Sequence, residues 1–498
     1  MSTHRGRRVV GLASAAALAA VAVLTTAGTT TGGVDRARIE LYADGLVLTP
    51  EGVATVPPGR AQAYLPGTRV AAEPGADAAR RAALDALAAE QRAWLDAGTV
   101  PGTGTGFEAL SRDALADLRT LVHDDGAVPA ALHERWGYVW PRDASFVAAA
   151  LARTGHVADA VRVLGFLARV QADDGSFEAR YTLDGAGPPD ARAPQTDGTG
   201  WVLWSLGEVL AAAPSGAEPS GAEPSGAEPS DAASSDAASS GTTTGPDAPP
   251  DGAAPDGAAP TRTDVALRLR GLLERATDRA LALTDGGRRL PPPSPDFWEI
   301  HEPVTTLGTV APLLAGLEAA EHAWTTLGEP ARARTAAEAA SSLRTVVEET
   351  FGARGYPRRV TGGARDAATA FVLPPFVEEP LAGAEAAWRA SVRPMLRPAG
   401  GLAPGGSWRP DGISWTPQTS LYALTAATLG DRAEAGRWLA WVDAHRTASG
   451  AVPEKVLADG SPAAVAPLAW SCANVVLALD ALDGRLLDEA SGPTRPGG

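Results

Sequence analysis

"GHVADA", Gly155 to Ala160, returns twice farther along the chain, as "GEPARA" from Gly328 to Ala333 and "GDRAEA" from Gly430 to Ala435. In each copy a glycine suited to the left-handed cap ends one helix, and an Ala-rich stretch begins the next a few residues later. The unit is a helical hairpin. Val161, Leu164 and Leu167 recur at three-residue steps after the first copy, and Leu307, Val310, Leu314 and Leu317 predict one buried stripe on the segment after Pro303. The copies are unevenly spaced, with loops of different length between them, which fits a closed ring of hairpins better than a regular solenoid. Long loops would then gather on one face of the ring. The predicted class is all-α, with the hairpins filling residues 76–485.

Four other segments differ from this pattern. Arg5, Arg7 and Arg8 precede an apolar run from Val9 to Leu24, so residues 1–33 read as a signal peptide or an uncleaved signal anchor. The protein is expected outside the cytoplasm, secreted or at the cell surface. Residues 34–75 alternate short β-prone runs with Gly and Pro and predict a small strand-rich preamble. Residues 214–262 carry the repeat "PSGAEPSGAEPSGAEPS" without bulky apolar side chains. Such a segment buries too little surface to offset its ordering entropy, and it reads as a disordered insertion, as does the tail 486–498.

The net charge of −16 excludes nucleic acid and anionic membrane as partners, leaving membrane contact only through the N-terminal anchor. A monomer is expected. The lone Cys472 has no disulfide partner and reads as a small core residue. The seven histidines are scattered without an HExxH pair or clustered cysteines, so neither a metal nor a cofactor is expected. No Gly-x-Ser-x-Gly elbow is present.

Carboxylates beside aromatic rings remain. "RWGYVWPRDAS" places Trp140 ahead of Arg142 and Asp143; "SPDFWEIHEP" places Asp296, Phe297, Trp298 and Glu299 in a loop before a helix; Glu454 follows Pro453, and Trp470 opens the last strong helix. Sugar CH faces stack on such rings, while sugar hydroxyls bind the donors and acceptors of Arg and Asp. An oligosaccharide is the expected substrate. Glycosidic cleavage needs one protonated carboxyl and one ionised carboxylate. Glu299, flanked by Phe297 and Trp298, is expected to be desolvated and to keep its proton as the acid. Glu454, beside Lys455, is expected to stay ionised as the base.

The ordered blocks "LVHDDGAVPAALHERWGYVWPRDASFVAAALARTG", "PQTDGTGWVLWSL", "PDFWEIHE", "RDAATAF" and "GAVPEKVLADGSPAAVAPLAWSCANVVLAL" resemble the glucoamylase family of glycoside hydrolases, family 15, from about Leu118 to Leu482. The resemblance implies an (α/α)6 toroid barrel of six hairpins and removal of terminal glucose from α-linked gluco-oligosaccharides with inversion. It implies Glu299 as general acid and Glu454 as base. Arg142 and Asp143 would grip hydroxyls of the terminal glucose, with Trp140, Trp298 and Trp470 as pocket rings. Asp197 lies in a shared block and is expected to organise its loop. Inversion requires the two carboxyls to lie about 6.5–9.5 Å apart.

Two positions depart from the family. Many relatives carry a second acidic residue directly after the acid, where this chain has Ile300; fungal members carry a Trp near the position of Ala191. Both changes remove contacts from the leaving-group side and argue against starch. They also leave two alternatives open, a glycan-binding protein that no longer turns over substrate and a trehalase-like hydrolase. Trp136 and Tyr138 are expected to pack, and Glu178, Glu302 and His301 to be surface or loop residues without a metal.

Overall fold

The computed structural model describes residues 39–215 and 259–490. The expected signal or anchor at 1–33, most of the insertion expected at 214–262 and the end of the tail lie outside the described residues. Strands β1 (Gly45–Thr49) and β2 (Gly52–Val56) come first, followed by α1 (Ala78–Asp96), α2 (Glu108–Leu121), α3 (Pro141–Arg153), α4 (Val157–Val170) and α5 (Asp197–Ala212). Then come α6 (Arg262–Arg268), α7 (Arg270–Thr284), α8 (Leu307–Thr326), α9 (Pro330–Thr350), a 3-10 turn (Ala367–Val372) and α10 (Ala384–Met395). The chain closes with β3 (Ser414–Trp415), α11 (Thr416–Thr428), α12 (Arg432–Ala444), β4 (Lys455–Val456), β5 (Pro462–Ala463) and α13 (Ala469–Ala490). Two boundaries differ from expectation. α6 starts inside the predicted insertion, where Thr261 and Asp264 form a reciprocal capping box, and α13 runs past 485.

Burial sorts the helices into two rings. α3, α5 and α11 are buried over nearly every residue, and α8 is buried on all sides from Leu307 to Leu317. These helices form an inner circuit: α3 packs on α5, α5 on α8, α8 on the 3-10 turn, the turn on α11, α11 on α13, and α13 back on α3. Outside them, α4 covers α3, α7 covers α5, α9 covers α8, α10 covers the 3-10 turn and α12 covers α11. The sixth pair is closed by α2, which precedes the circuit in sequence but packs on its last helix, α13. The result is a glucoamylase-like (α/α)6 toroid.

An inner helix meets an outer partner, two flanking neighbours and the barrel axis, so a single apolar stripe understates its burial. On α8 the predicted stripe is buried, and so are Gly308, Thr309 and Ala311 between its members. Hydroxyls that face this interior bond within their own helix, as Ser420 Oγ does to the Thr416 carbonyl at 2.7 Å and Thr425 Oγ1 to that of Leu421 at 3.1 Å. The three hairpin glycines, Gly155, Gly328 and Gly430, all adopt positive φ, at 90°, 67° and 81°. Each ends its helix in the conformation that glycine adopts without a Cβ penalty.

The axis is filled by rings. Phe146 lies 5.1 Å from Trp201 and 4.9 Å from Trp204, and Trp201 meets Phe371 edge-on at 4.7 Å. The strand-rich preamble folds as the β1–β2 hairpin, in register from Gly45 opposite Val56 to Thr49 opposite Gly52. It braces the loops ahead of α13: Tyr42 N donates to Ala464 O at 2.6 Å, and Ser449 N donates to Asp44 Oδ1 at 3.2 Å.

α5 and α8 meet through small residues. A Cβ built on Gly200 would lie 2.2 Å from the main chain of Pro312, whereas one built on Gly165 of α4 meets nothing within 4 Å. Gly200→Ala should lower unfolding stability by about 1–3 kcal/mol in denaturant titrations. Gly165→Ala should leave stability equal or raise it by up to about 1 kcal/mol through helix propensity.

Candidate active site

The starts of the inner helices and the loops before them meet on one rim. Trp140 caps α3, Arg142 and Asp143 lie in its first turn, Asp197 opens α5, Glu299 stands in the loop before α8, and Trp470 is the second residue of α13. Placing Asp143 and Asp197 in first turns sets their charges against the positive helix ends.

Arg142 is the hub of one half. Its Nη2 lies 2.9 Å from Asp143 Oδ2 and 3.8 Å from Glu299 Oε1, and its guanidinium stacks 4.7 Å above the Trp470 ring. Trp470 in turn rests on Phe146, at 5.6 Å, and on Phe297, at 6.4 Å, so it floors the site on the axial aromatic cluster. Burial pushes the Asp143 carboxyl up, opposed by the Arg142 charge.

The Glu299 loop is held from below. Asp296 Oδ1 accepts from Trp298 N at 2.9 Å, Asp296 O accepts from Glu299 N at 2.7 Å, and Thr306 Oγ1 donates to Asp296 Oδ2 at 2.7 Å. Arg358 locks this turn: its guanidinium reaches Asp296 at 2.7 Å, Glu302 at 2.9 Å and Asp366 at 2.5 Å, and lies 3.7 Å over the Trp298 ring. Glu302 is therefore no surface charge. It is buried, and Arg358 with Arg359 holds its carboxyl below the ordinary range against the cost of burial. Glu299 itself adopts φ 55°, a strained conformation for a residue with a Cβ, fixed by the turn beneath it.

The environment of Glu299 differs from expectation. Its side chain is 29% exposed, and Oε2 lies 2.6 Å from Arg192 Nη1. Phe297 and Trp298 do not enclose it, because Trp298 is sandwiched between Arg358 and Trp408, the latter at 4.8 Å, and Phe297 points to the axis. Arg192 comes from an Ala/Pro-rich loop without periodicity, and only its place just ahead of "PQTDG" could have drawn attention to it.

Glu454 matches its expected surroundings. It is buried, and its Oε2 lies 3.2 Å from Lys455 Nζ. Its backbone is fixed on both sides: Glu454 N donates to Val465 O at 2.8 Å, and Thr416 N donates to Glu454 O at 3.0 Å. Val465 packs with Trp140, and Leu468 N donates to Val452 O, which ties this loop to the α3 cap and to the start of α13. Lys455 pairs with Trp415 across β3–β4 and lies 4.1 Å over its ring; Trp415 meets Trp408, which meets Trp298. A wall of three indoles thus runs from the Glu454 loop to the Glu299 loop. Trp136 and Tyr138 pack beside Trp140.

Around this rim buried polar atoms have no protein partner. They include Arg142 Nε and Nη1, both Asp197 carboxylate oxygens, and the indole nitrogens of Trp140, Trp298 and Trp470. Buried polar groups are otherwise almost always bonded, so such a concentration marks where a hydroxyl-rich ligand fits. A cleft of about 360 Å³ opens beside Glu299, lined by Arg192, Gln195, Pro295, Ile300 and His301. A larger hollow of about 500 Å³ lies between the C-terminal halves of α5 and α8, away from this rim, and holds none of the predicted residues.

Asp197 is buried at the start of α5, and Asp296 is the carboxylate that fixes the Glu299 loop. Burial pushes the Asp197 carboxyl up to about 7, opposed by Arg142 and reinforced by Asp296 and Glu299. Folding therefore raises its pKa from the ordinary 3.8, so the associated stability is complete below about pH 4 and is lost as pH rises through 7. Asp197→Asn should melt several degrees above the wild type at pH 8 and keep less than half of that advantage at pH 5, as read by differential scanning fluorimetry.

No family model matches the chain. An uncharacterized glycosyl hydrolase of Methanocaldococcus jannaschii is 34% identical over 100 residues, 20% of this chain, and the match spans only 16% of that protein. Isomaltose glucohydrolase of Kribbella flavida is 26% identical over 414 residues, covering 75% of this chain and 92% of that protein. Among solved structures, a glycosidase in complex with glucose superposes with a TM-score of 0.56 at 23% identity, covering 75% of this chain and 96% of that one. A bacterial glucoamylase complexed with acarbose gives a TM-score of 0.56 at 15% identity, covering 82% of this chain and 61% of its own. The chain thus has a glucoamylase-like fold, and its sequence is similar to those of glycoside hydrolases.

Proposed function

We propose that this protein is an exported, inverting exo-α-glucosidase that removes terminal glucose from short α-linked gluco-oligosaccharides, isomaltose among them. The observation that carries the reading is the set of unpartnered polar atoms on Arg142, Asp197, Trp140 and Trp470, above a Trp470 floor and next to Glu299. Trp470 stacks under the apolar face of the terminal ring, and Arg142 and Asp143 hold its hydroxyls. Glu299 gives its proton to the glycosidic oxygen as the bond to C1 breaks. Glu454 takes a proton from water as that water attacks C1 from the opposite face. Lys455 keeps Glu454 in place for that step. The Arg-rich start and the apolar run from Val9 to Leu24 support export. The likeness to isomaltose glucohydrolase supports a short α-linked substrate, and Ile300 beside the acid speaks against starch.

The test is an α-linked gluco-oligosaccharide panel followed by NMR from the first seconds of reaction. β-Glucose is expected first from the wild type, with Glu299→Gln and Glu454→Gln each slower by about 10²–10⁴-fold. α-Glucose appearing first would overturn inversion. Undiminished turnover in either variant would remove that residue from the chemistry, and sugar binding by the wild type without turnover would make the protein a glycan-binding one.

A further inference from the structure

Glu299 must carry a proton to act as the acid, and a carboxyl cannot be that donor while serving as the anion of the Arg192 pair. In the structure the pair is made, at 2.6 Å. It is also made by a residue free to leave: Arg192 is 41% exposed, and a pair so open to water is weakly held. A second acceptor is already in contact, since Arg192 Nε lies 3.2 Å from Asp190 Oδ2. Asp190 is anchored in turn by the buried Arg180 at 2.5 Å, whose guanidinium stacks on Tyr138 and Trp140 at 4.3 and 5.0 Å. Arg192 therefore stands between two carboxylates and can release one without becoming an unpaired cation.

The cleft of about 360 Å³ beside Glu299 is where Arg192 would turn. Its lining offers the Arg192 fork, Gln195 and His301, and no Phe, Tyr or Trp ring. Such a surface holds a polyhydroxylated group by hydrogen bonds rather than by stacking.

We propose that Arg192 is a positioning residue that couples binding of a hydroxyl-rich leaving group in this cleft to proton loading of Glu299. In the empty site Arg192 holds Glu299 as an ion pair. When a sugar fills the cleft, Arg192 turns to its hydroxyls and to Asp190, and Glu299 takes a proton from solvent, which it then passes to the glycosidic oxygen. The proposal rests on the reading of Glu299 as the acid.

The experiment compares pH profiles of kcat/KM for isomaltose and for α-glucosyl fluoride, whose fluoride neither fills the cleft nor needs the acid's proton to leave. Arg192→Gln should move the alkaline limb of the isomaltose profile up by about one pH unit, since removing the cation lets Glu299 keep its proton to higher pH. Asp190→Asn, which removes the alternative acceptor, should move that limb down. Arg192→Gln should also lose at least about tenfold more kcat/KM on isomaltose than on the fluoride, with the loss carried by KM. Arg192→Lys should restore the position of the limb. An unmoved limb in Arg192→Gln, shifts of the same sign in both variants, or equal losses on the two substrates would overturn the proposal. Full isomaltose turnover by Glu299→Gln would instead defeat the assignment of the acid, so the two failures are distinguishable.

Discussion

One buried guanidinium carries the geometry of the acid loop. Arg358 meets Asp296, Glu302 and Asp366 and covers the Trp298 ring, bringing together the loop before α8, the loop after α9 and the start of the 3-10 turn. Removing one partner from such a buried cluster leaves charges that have neither water nor a counter-ion, which is why clusters of this kind hold a single arrangement. The strained φ of Glu299 persists because Asp296, fixed by Arg358, accepts from the backbone N–H groups of Trp298 and of Glu299 itself. The position of Glu299 thus depends on a cation buried beneath its loop.

The two carboxylates are set in contrasting ways. Glu454 is held by backbone hydrogen bonds to Val465 and Thr416 and by a neighbouring lysine that is itself pinned on Trp415, so base and cation form one rigid unit. The Glu299 side chain is partly open to solvent, and its cation sits on a separate loop. The proposed mechanism asks for a fixed base, which the first environment suits, and for an acid in exchange with solvent, which the second suits. Asp197, buried between Arg142 and Glu299 with both oxygens unpartnered, adds a third carboxyl whose charge depends on pH near neutrality.

The hairpin pattern was legible in the chain because glycine at a left-handed cap is a local requirement, and Gly155, Gly328 and Gly430 meet it. The fourth inner element escaped that reading: Ala367–Val372 is a single 3-10 turn with no helical period to detect. Closure of the ring by α2 on α13 is a long-range contact that no local signal encodes. At the site, residues delivered by helix starts or fixed loops, such as Arg142, Asp143 and Trp470, could be picked out by residue type and neighbours. Those recruited through space could not. Arg192 and Arg358 lie in loops of unremarkable composition, and only the fold brings them to Glu299 and Asp296. Glu302 was misjudged for the same reason, since its two arginine partners lie more than fifty residues away in sequence.

The central claim is that Glu299 and Glu454 face each other across a single hexose seated on Trp470 and gripped by Arg142 and Asp143. A crystal structure of the protein with acarbose measures this directly. The account predicts the terminal ring stacked on Trp470, hydroxyls on Arg142 and Asp143, and carboxyls about 6.5–9.5 Å apart on opposite sides of C1. A ring bound away from Trp470, or carboxyls only about 5 Å apart as a retaining enzyme requires, would contradict it.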